Sequence, residues 1–214
     1  KVCAKVDGNC ALYVSVPDTE ERFVLNGDMI FSAASTIKIP MLALLFKDAE
    51  EGRVDLSKKI VVKPDNRVIG SGILRSLSPD LELSLFDLAN LMIVMSDNTA
   101  TNEVADAVGM DRMRQFCLDN GYNNTWMWKK MFFKGYVPEP QIPEGAPVNA
   151  TTANDLGRMM ESIAAGKCVS EKASDKMVQI MAGQRLARLK TLLPCAERVE
   201  PFAEKLELPA EGKV

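Results

Sequence analysis

The segment Phe31-Ser32-Ala33-Ala34-Ser35-Thr36-Ile37-Lys38 sets a lysine three residues after a serine. On a helix that spacing puts both side chains on one face, so the Lys38 amine can reach the Ser35 hydroxyl. A serine at a helix N-terminus also sits at the positive end of the helix dipole, which favours an anion developing there. Burial lowers a lysine's pKa toward its neutral, basic form. Together these features make a serine nucleophile activated without histidine. The chain contains no histidine, so Ser-His-Asp and Cys-His catalysis and histidine metal sites are all excluded. Taken alone the spacing is a weak signal, because about one Ser-x-x-Lys is expected by chance in a chain of this length. A capping serine beside a solvated lysine is the competing reading. The small, uncharged run Ser32 to Ser35 and the apolar helix behind it favour chemistry.

A second cluster, Met95-Ser96-Asp97-Asn98-Thr99-Ala100-Thr101-Asn102, is more specific. Ser-Asp-Asn arises by chance in at most a few per cent of such chains, on the order of ordinary residue usage. Serine, aspartate and asparagine are all good helix N-caps, so a plain helix-linking turn is the bland alternative. The chemical reading gives Ser96 a hydroxyl for relaying protons and Asn98 an amide for holding a substrate carbonyl.

Ser-x-x-Lys followed about 60 residues later by Ser-Asp-Asn is the paired signature of class A β-lactamases and penicillin-binding proteins. The chain resembles that family beyond the motifs. The Asn-x-Asp-x-x-Phe-x-x-Ala-Ser-x-x-Lys approach, Gly70-Ser71-Gly72-Ile73-Leu74-Arg75, Leu91-Met92-Ile93 and Thr99 to Asn102 are similar to class A sequence. So is Asn149-Ala150-Thr151-Thr152 ahead of a helix, and the likeness runs from about Asn26 onward. It implies that Ser35 is acylated by a β-lactam or related acyl donor, with Lys38 taking its proton. Ser96 would pass a proton to the leaving nitrogen, and Asn98 would bind the substrate's side-chain amide. The oxyanion hole would use the Ser35 backbone N–H and one from a later strand. Asn102 would help hold a Pro-rich loop against the site.

Two features depart from the family. Its loop carries Glu-x-x-Leu-Asn, whose glutamate activates the deacylating water, and no such string exists here. Glu139 and Glu144 are the carboxylates of the corresponding loop, and Glu139 is the candidate substitute; a solvated loop carboxylate is the alternative. The family's third motif, Lys-Thr-Gly, follows a loop similar to Leu208-Pro209-Ala210-Glu211-Gly212-Lys213-Val214, where this chain stops. The expectation is therefore a chain whose C-terminal strands are missing. Trp126 and Trp128 precede the Pro-rich loop and read more readily as core than as cleft lining.

Positioning these groups takes a small set of elements. Ala11 to Pro17 and Arg22 to Leu25 read as a β-hairpin turned at Asp18-Thr19-Glu20-Glu21. A long apolar helix runs from Ser35 to about Glu51, with Pro40 tolerated in its first turn. Further helices are expected from Leu85 to Met95 behind the cap Ser84, from Asn98 or Thr99 to Val108, and from Asp111 to Asn120. Two more span Thr152 to Ala165 and Ser170 to Met181. Gly135 to Val148 carries four prolines and reads as an irregular, stiff loop. Two strands cannot form a stable sheet alone, so further strands are expected in the final segment or beyond it.

The resulting expectation is a two-lobe serine β-lactamase-like fold, one lobe α/β and one all-α. Residues 1–45 would start the α/β lobe, 46–182 form the helical lobe, and 183–214 return toward the α/β lobe. Composition agrees with a globular chain: 214 residues, 47% hydrophobic, 26% charged, net charge -3. No basic face suggests nucleic acid, and no stretch reaches the roughly 20 apolar residues of a membrane span. The five cysteines contain no C-x-x-C pair, so no structural metal site is expected. Cys3 and Cys10 could bridge across a turn, which would suit an exported protein, while free thiols remain the alternative. Neither cofactor nor metal is called for, and the expected partner is a small β-lactam or acyl-peptide. β-Lactam hydrolysis through an acyl-serine is the leading function. The alternatives are a penicillin-binding protein, peptidase or esterase with slow deacylation, or a non-catalytic binding domain of the same fold.

Overall fold

The computed structural model describes residues 7–17, 19–134 and 142–184. The apolar run after Lys38 forms α1 (Lys38–Glu50), in which Met41, Leu42, Ala43 and Leu45 are fully buried. Burying each of the larger side chains contributes roughly 1.5–3 kcal/mol, so α1 is the axis of the helical core. Around it pack α2 (Leu85–Val94), α3 (Asn98–Val108), α4 (Met110–Asp119) and α6 (Glu171–Ala182). The remaining helix, α5 (Ala153–Ala164), lies against α6 and against the N-terminal hairpin.

Most of these helices start where a short polar side chain caps them. The Ser84 hydroxyl accepts from the Asp87 N–H (3.0 Å), the Asp97 carboxylate from Ala100 (3.0 Å), and the Thr152 hydroxyl from Asp155 (3.1 Å). Each satisfies an N–H that the first helical turn leaves unpaired. The stretch from Leu81 to Met95 resolves into a short strand and α2, whose Leu85, Leu88, Ala89, Met92 and Ile93 face the core. Among the described residues no helix is long and apolar enough to cross a membrane.

The hairpin forms as β1 (Leu12–Ser15) and β2 (Arg22–Leu25), antiparallel, with Leu12 opposite Leu25 and Ser15 opposite Arg22. Five further short strands were not foreseen. β3 (Phe31–Ser32), β6 (Trp126–Met127) and β7 (Asn149–Thr151) make a three-stranded sheet in the order β3-β7-β6, while β4 (Lys59–Val61) pairs with β5 (Glu82–Ser84). Two- or three-residue strands leave no alternation to read in the sequence, and their partners lie far along the chain. The β3-β7 pairing, Phe31 opposite Thr151 and Ser32 opposite Ala150, delivers the chain to Ser35. The C-terminal strands expected after residue 182, and Cys3 of the possible Cys3–Cys10 bridge, lie outside the described residues.

Candidate functional site

Ser35 is reached through a fixed approach. The Ala33 N–H donates to the Asn149 carbonyl (3.0 Å), extending the β3-β7 contact by one residue. Ala34 then takes a left-handed backbone (φ 45°), uncommon for a residue with a side chain. The next turn, Ala34–Ile37, is a 3-10 helix, and α1 begins only at Lys38. The single helix expected from Ser35 is thus a tight turn followed by an α-helix. Its practical effect is that Ser35 is exposed while Ile37 and Lys38 turn inward, Lys38 being 2% exposed.

Lys38, Ser96 and Asn98 converge on that hydroxyl. The Lys38 ammonium donates to the Ser96 carbonyl (2.7 Å), the Ser96 hydroxyl (2.8 Å) and the Asn98 side-chain oxygen (3.1 Å). Ser35 Oγ lies 3.4 Å from Lys38 Nζ and accepts from the Ser96 hydroxyl at 3.0 Å. Ser96 reaches inward from a left-handed backbone (φ 50°) between α2 and α3. Burial pushes the Lys38 pKa down to about 8, and the charge of Asp97 partly opposes the shift. At pH 7 such a group is neutral in about one molecule in ten, a useful reservoir of free base beside a serine.

Asp97, the middle residue of the second motif, has a role that its spacing did not reveal. One carboxylate oxygen caps α3 at Ala100, and the other accepts from the backbone N–H groups of Ile73 (2.6 Å) and Leu74 (2.9 Å). Its carbonyl accepts from the Thr101 hydroxyl (2.7 Å). Gly72 (φ 106°) makes the approach possible, because a Cβ there would overlap the Asp97 carboxyl. Asn98 adds its own N–H to the Ser71 carbonyl (3.0 Å) and its side-chain N–H to Ile69 (3.1 Å). The Gly70–Leu74 loop is therefore fastened to the Ser-Asp-Asn turn and forms one rim of the site. The signal was present in the two glycines, but the partner they make room for is remote in sequence.

Asn102 is 1% exposed and grips Met131 at both backbone polar groups. Its side-chain oxygen accepts from the Met131 N–H (2.8 Å), and its side-chain nitrogen donates to the Met131 carbonyl (3.1 Å). The residue held is thus on the approach to the Pro-rich loop, ahead of Gly135. Glu139 lies outside the described residues, and Glu144 is exposed. Trp126 is core, 2% exposed, with its indole N–H on the Pro147 carbonyl (3.0 Å). Trp128 is half-buried, and its backbone N–H donates to the Asn149 side chain (3.0 Å).

Comparison with known proteins gives the family and the fold of the chain. Residues 1–205 match the model of a family described as the β-lactamase enzyme family. Among curated proteins, the chain is 26% identical over 189 residues to β-lactamase CARB-3 of Pseudomonas aeruginosa, covering 85% of this chain and 62% of that protein. Among solved structures, it is similar to a β-lactamase from Sphaerobacter thermophilus (TM-score 0.71, 32% identity, 82% of this chain and 64% of the other). It is also similar to PBP-A (TM-score 0.75, 30% identity, 86% and 66%). A PBP-A mutant seen as an acyl-enzyme complex with penicillin G aligns with TM-score 0.71 and 32% identity, over 81% of this chain and 62% of the other. The chain thus spans a little under two thirds of the length of these relatives, and the likeness bears out the fold expected from the motifs.

Proposed function

The chain belongs to the β-lactamase enzyme family, and from that premise we propose that it opens β-lactams by acylation of Ser35. The observation that carries the proposal is the convergence of Lys38 and Ser96 on one exposed hydroxyl. Neutral Lys38 takes the Ser35 proton as Oγ attacks the lactam carbonyl. The carbonyl oxygen becomes an oxyanion beside the Ser35 N–H, at the start of the 3-10 turn. The ring C–N bond then breaks, and Ser96, bonded to both Lys38 and Ser35, hands the proton on to the ring nitrogen. Asn98 holds the acyl amide, and hydrolysis of the Ser35 ester completes the cycle.

A second reading, acylation followed by slow release, is favoured by the commitments of Asp97. This carboxylate acts on the charge of Lys38, but its oxygens already accept from Ile73, Leu74 and Ala100. It is poorly placed to activate a water. Both readings meet in an intact-mass time course with excess penicillin, with Ser35→Ala as control. Ring opening expels no leaving group, so the adduct should carry the whole mass of penicillin and should be absent from Ser35→Ala. Rapid loss of the adduct supports hydrolysis, and persistence supports the slow-release reading. If neither adduct nor penicillin consumption occurs, the acyl-serine assignment fails.

A further inference from the structure

Phe132, a residue 55% exposed, stands on the rim of the site with its backbone left-handed (φ 50°). An aromatic residue seldom holds that conformation unless its surroundings impose it. Here the neighbouring residues do. Met131 is clamped by Asn102 through both backbone groups (2.8 and 3.1 Å). The Lys130 ammonium donates to the Asn66 side chain (2.8 Å) and to Asp106 (2.7 Å). The ring is therefore presented by a fastened strap, and about half of the residue stays open to solvent.

What the ring faces gives it a purpose. It lies over Gly70, where a Cβ would come within 2.9 Å of Phe132 Cε2 and 2.5 Å of the Asn98 side-chain nitrogen. A Cβ there would collide with both, so glycine at this position lets the ring close up beside the Asn98 amide. The Asn98 nitrogen carries two hydrogens. One is engaged by the Ile69 carbonyl (3.1 Å), which leaves the second for a substrate carbonyl. Exposed Ile69 and Ile73 continue the apolar rim.

We propose that Phe132 determines specificity for the acyl side chain of the substrate, selecting an aryl group placed one or two atoms beyond the amide that Asn98 holds. Offset or edge-to-face stacking on the exposed part of a preset ring beside the Asn98 amide supplies the preference. The inference rests on the acyl-serine reading above and deepens it by naming a substrate class.

The test compares benzylpenicillin with 6-aminopenicillanic acid, which has the same bicyclic ring system without the acyl arm. Second-order acylation rates for each would be measured by intact mass in the full chain, in Phe132→Asn and in Phe132→Tyr. Asparagine tolerates the left-handed backbone but removes the ring, and tyrosine retains it. The benzylpenicillin to 6-aminopenicillanic acid ratio should fall about tenfold in Phe132→Asn, the scale of one aryl contact, and be kept in Phe132→Tyr. An unchanged ratio in Phe132→Asn, with both compounds still acylating Ser35, overturns the role of Phe132. Failure of both compounds to acylate the unsubstituted chain overturns the acyl-serine reading instead.

Discussion

Lys38 faces two demands that its surroundings reconcile. Burial makes the ammonium costly, yet the Ser96 carbonyl, the Ser96 hydroxyl and the Asn98 oxygen all accept from it. Burial lowers its pKa to about 8, with the charge of Asp97 partly opposing, and that is near enough to neutrality for it to serve as a base. Because the neutral amine is the reactive form, the acylation rate should rise with pH through about 8 and level off above it. A stopped-flow or mass-resolved pH profile checks this, and a rate already flat from pH 6 upward would argue against Lys38 as base. Lys38→Arg keeps the positive charge but cannot deprotonate, so acylation should drop on the order of 10²–10⁴-fold. The four groups Ser35, Lys38, Ser96 and Asn98 were legible in the sequence because their two motifs are each local. Phe132 was not, since its position depends on a glycine far earlier in the chain.

At the scale of elements, the turn between α2 and α3 is held by Asp97 more than by any other side chain. Its carboxylate joins the cap of α3 to the Gly70–Leu74 loop, and the residue is 1% exposed. Asp97→Ala would remove the cap and leave two backbone N–H groups of the loop without their acceptor, a loss of about 3 kcal/mol. Gly72→Ala attacks the same junction from the other side, through steric overlap and a positive φ, and should cost at least about 2 kcal/mol. Urea unfolding of both single variants and the double variant checks the argument. The double variant should lose less than the two singles together, because each breaks the same contact. Full additivity would mean that the loop and the turn are independent. The helices of this region could be read from cap residues and apolar spacing, and α3 begins at Asn98 as that pattern suggested. The small sheets could not, because β3 and β7 are joined by pairings between residues some 120 positions apart.

The whole molecule adds a question of how the hairpin is attached to the helical body. β1 and β2 meet α5 through the Tyr13 ring, which packs on Gly157, and a polar cluster in which the Tyr13 hydroxyl donates to Glu161 (2.9 Å) and the Arg22 guanidinium pairs with it (2.9 Å). The hydrogen bond from Arg22 holds the Glu161 carboxyl below its usual range, against the opposing effect of burial. A depressed carboxyl contributes stability at neutral pH and loses it as the pH falls through the folded-state value. The sequence showed both strands, since Arg22–Leu25 reads as apolar after a polar turn, but gave no hint of their anchor on a helix more than 130 residues away. A hairpin alone is at best marginally stable, so its persistence depends on that docking. Glu161→Ala should therefore loosen the hairpin selectively. Amide hydrogen exchange at Val14 and Phe23, which face each other in a hydrogen-bonded pair of the ladder, should quicken by roughly threefold, the scale of a partly exposed ion pair. Amides in the middle of α1, around Leu44 and Leu45, should be unchanged, because that core does not touch the cluster. If hairpin and α1 amides instead quicken by the same factor, the two regions open together and the hairpin is an integral part of one cooperative unit.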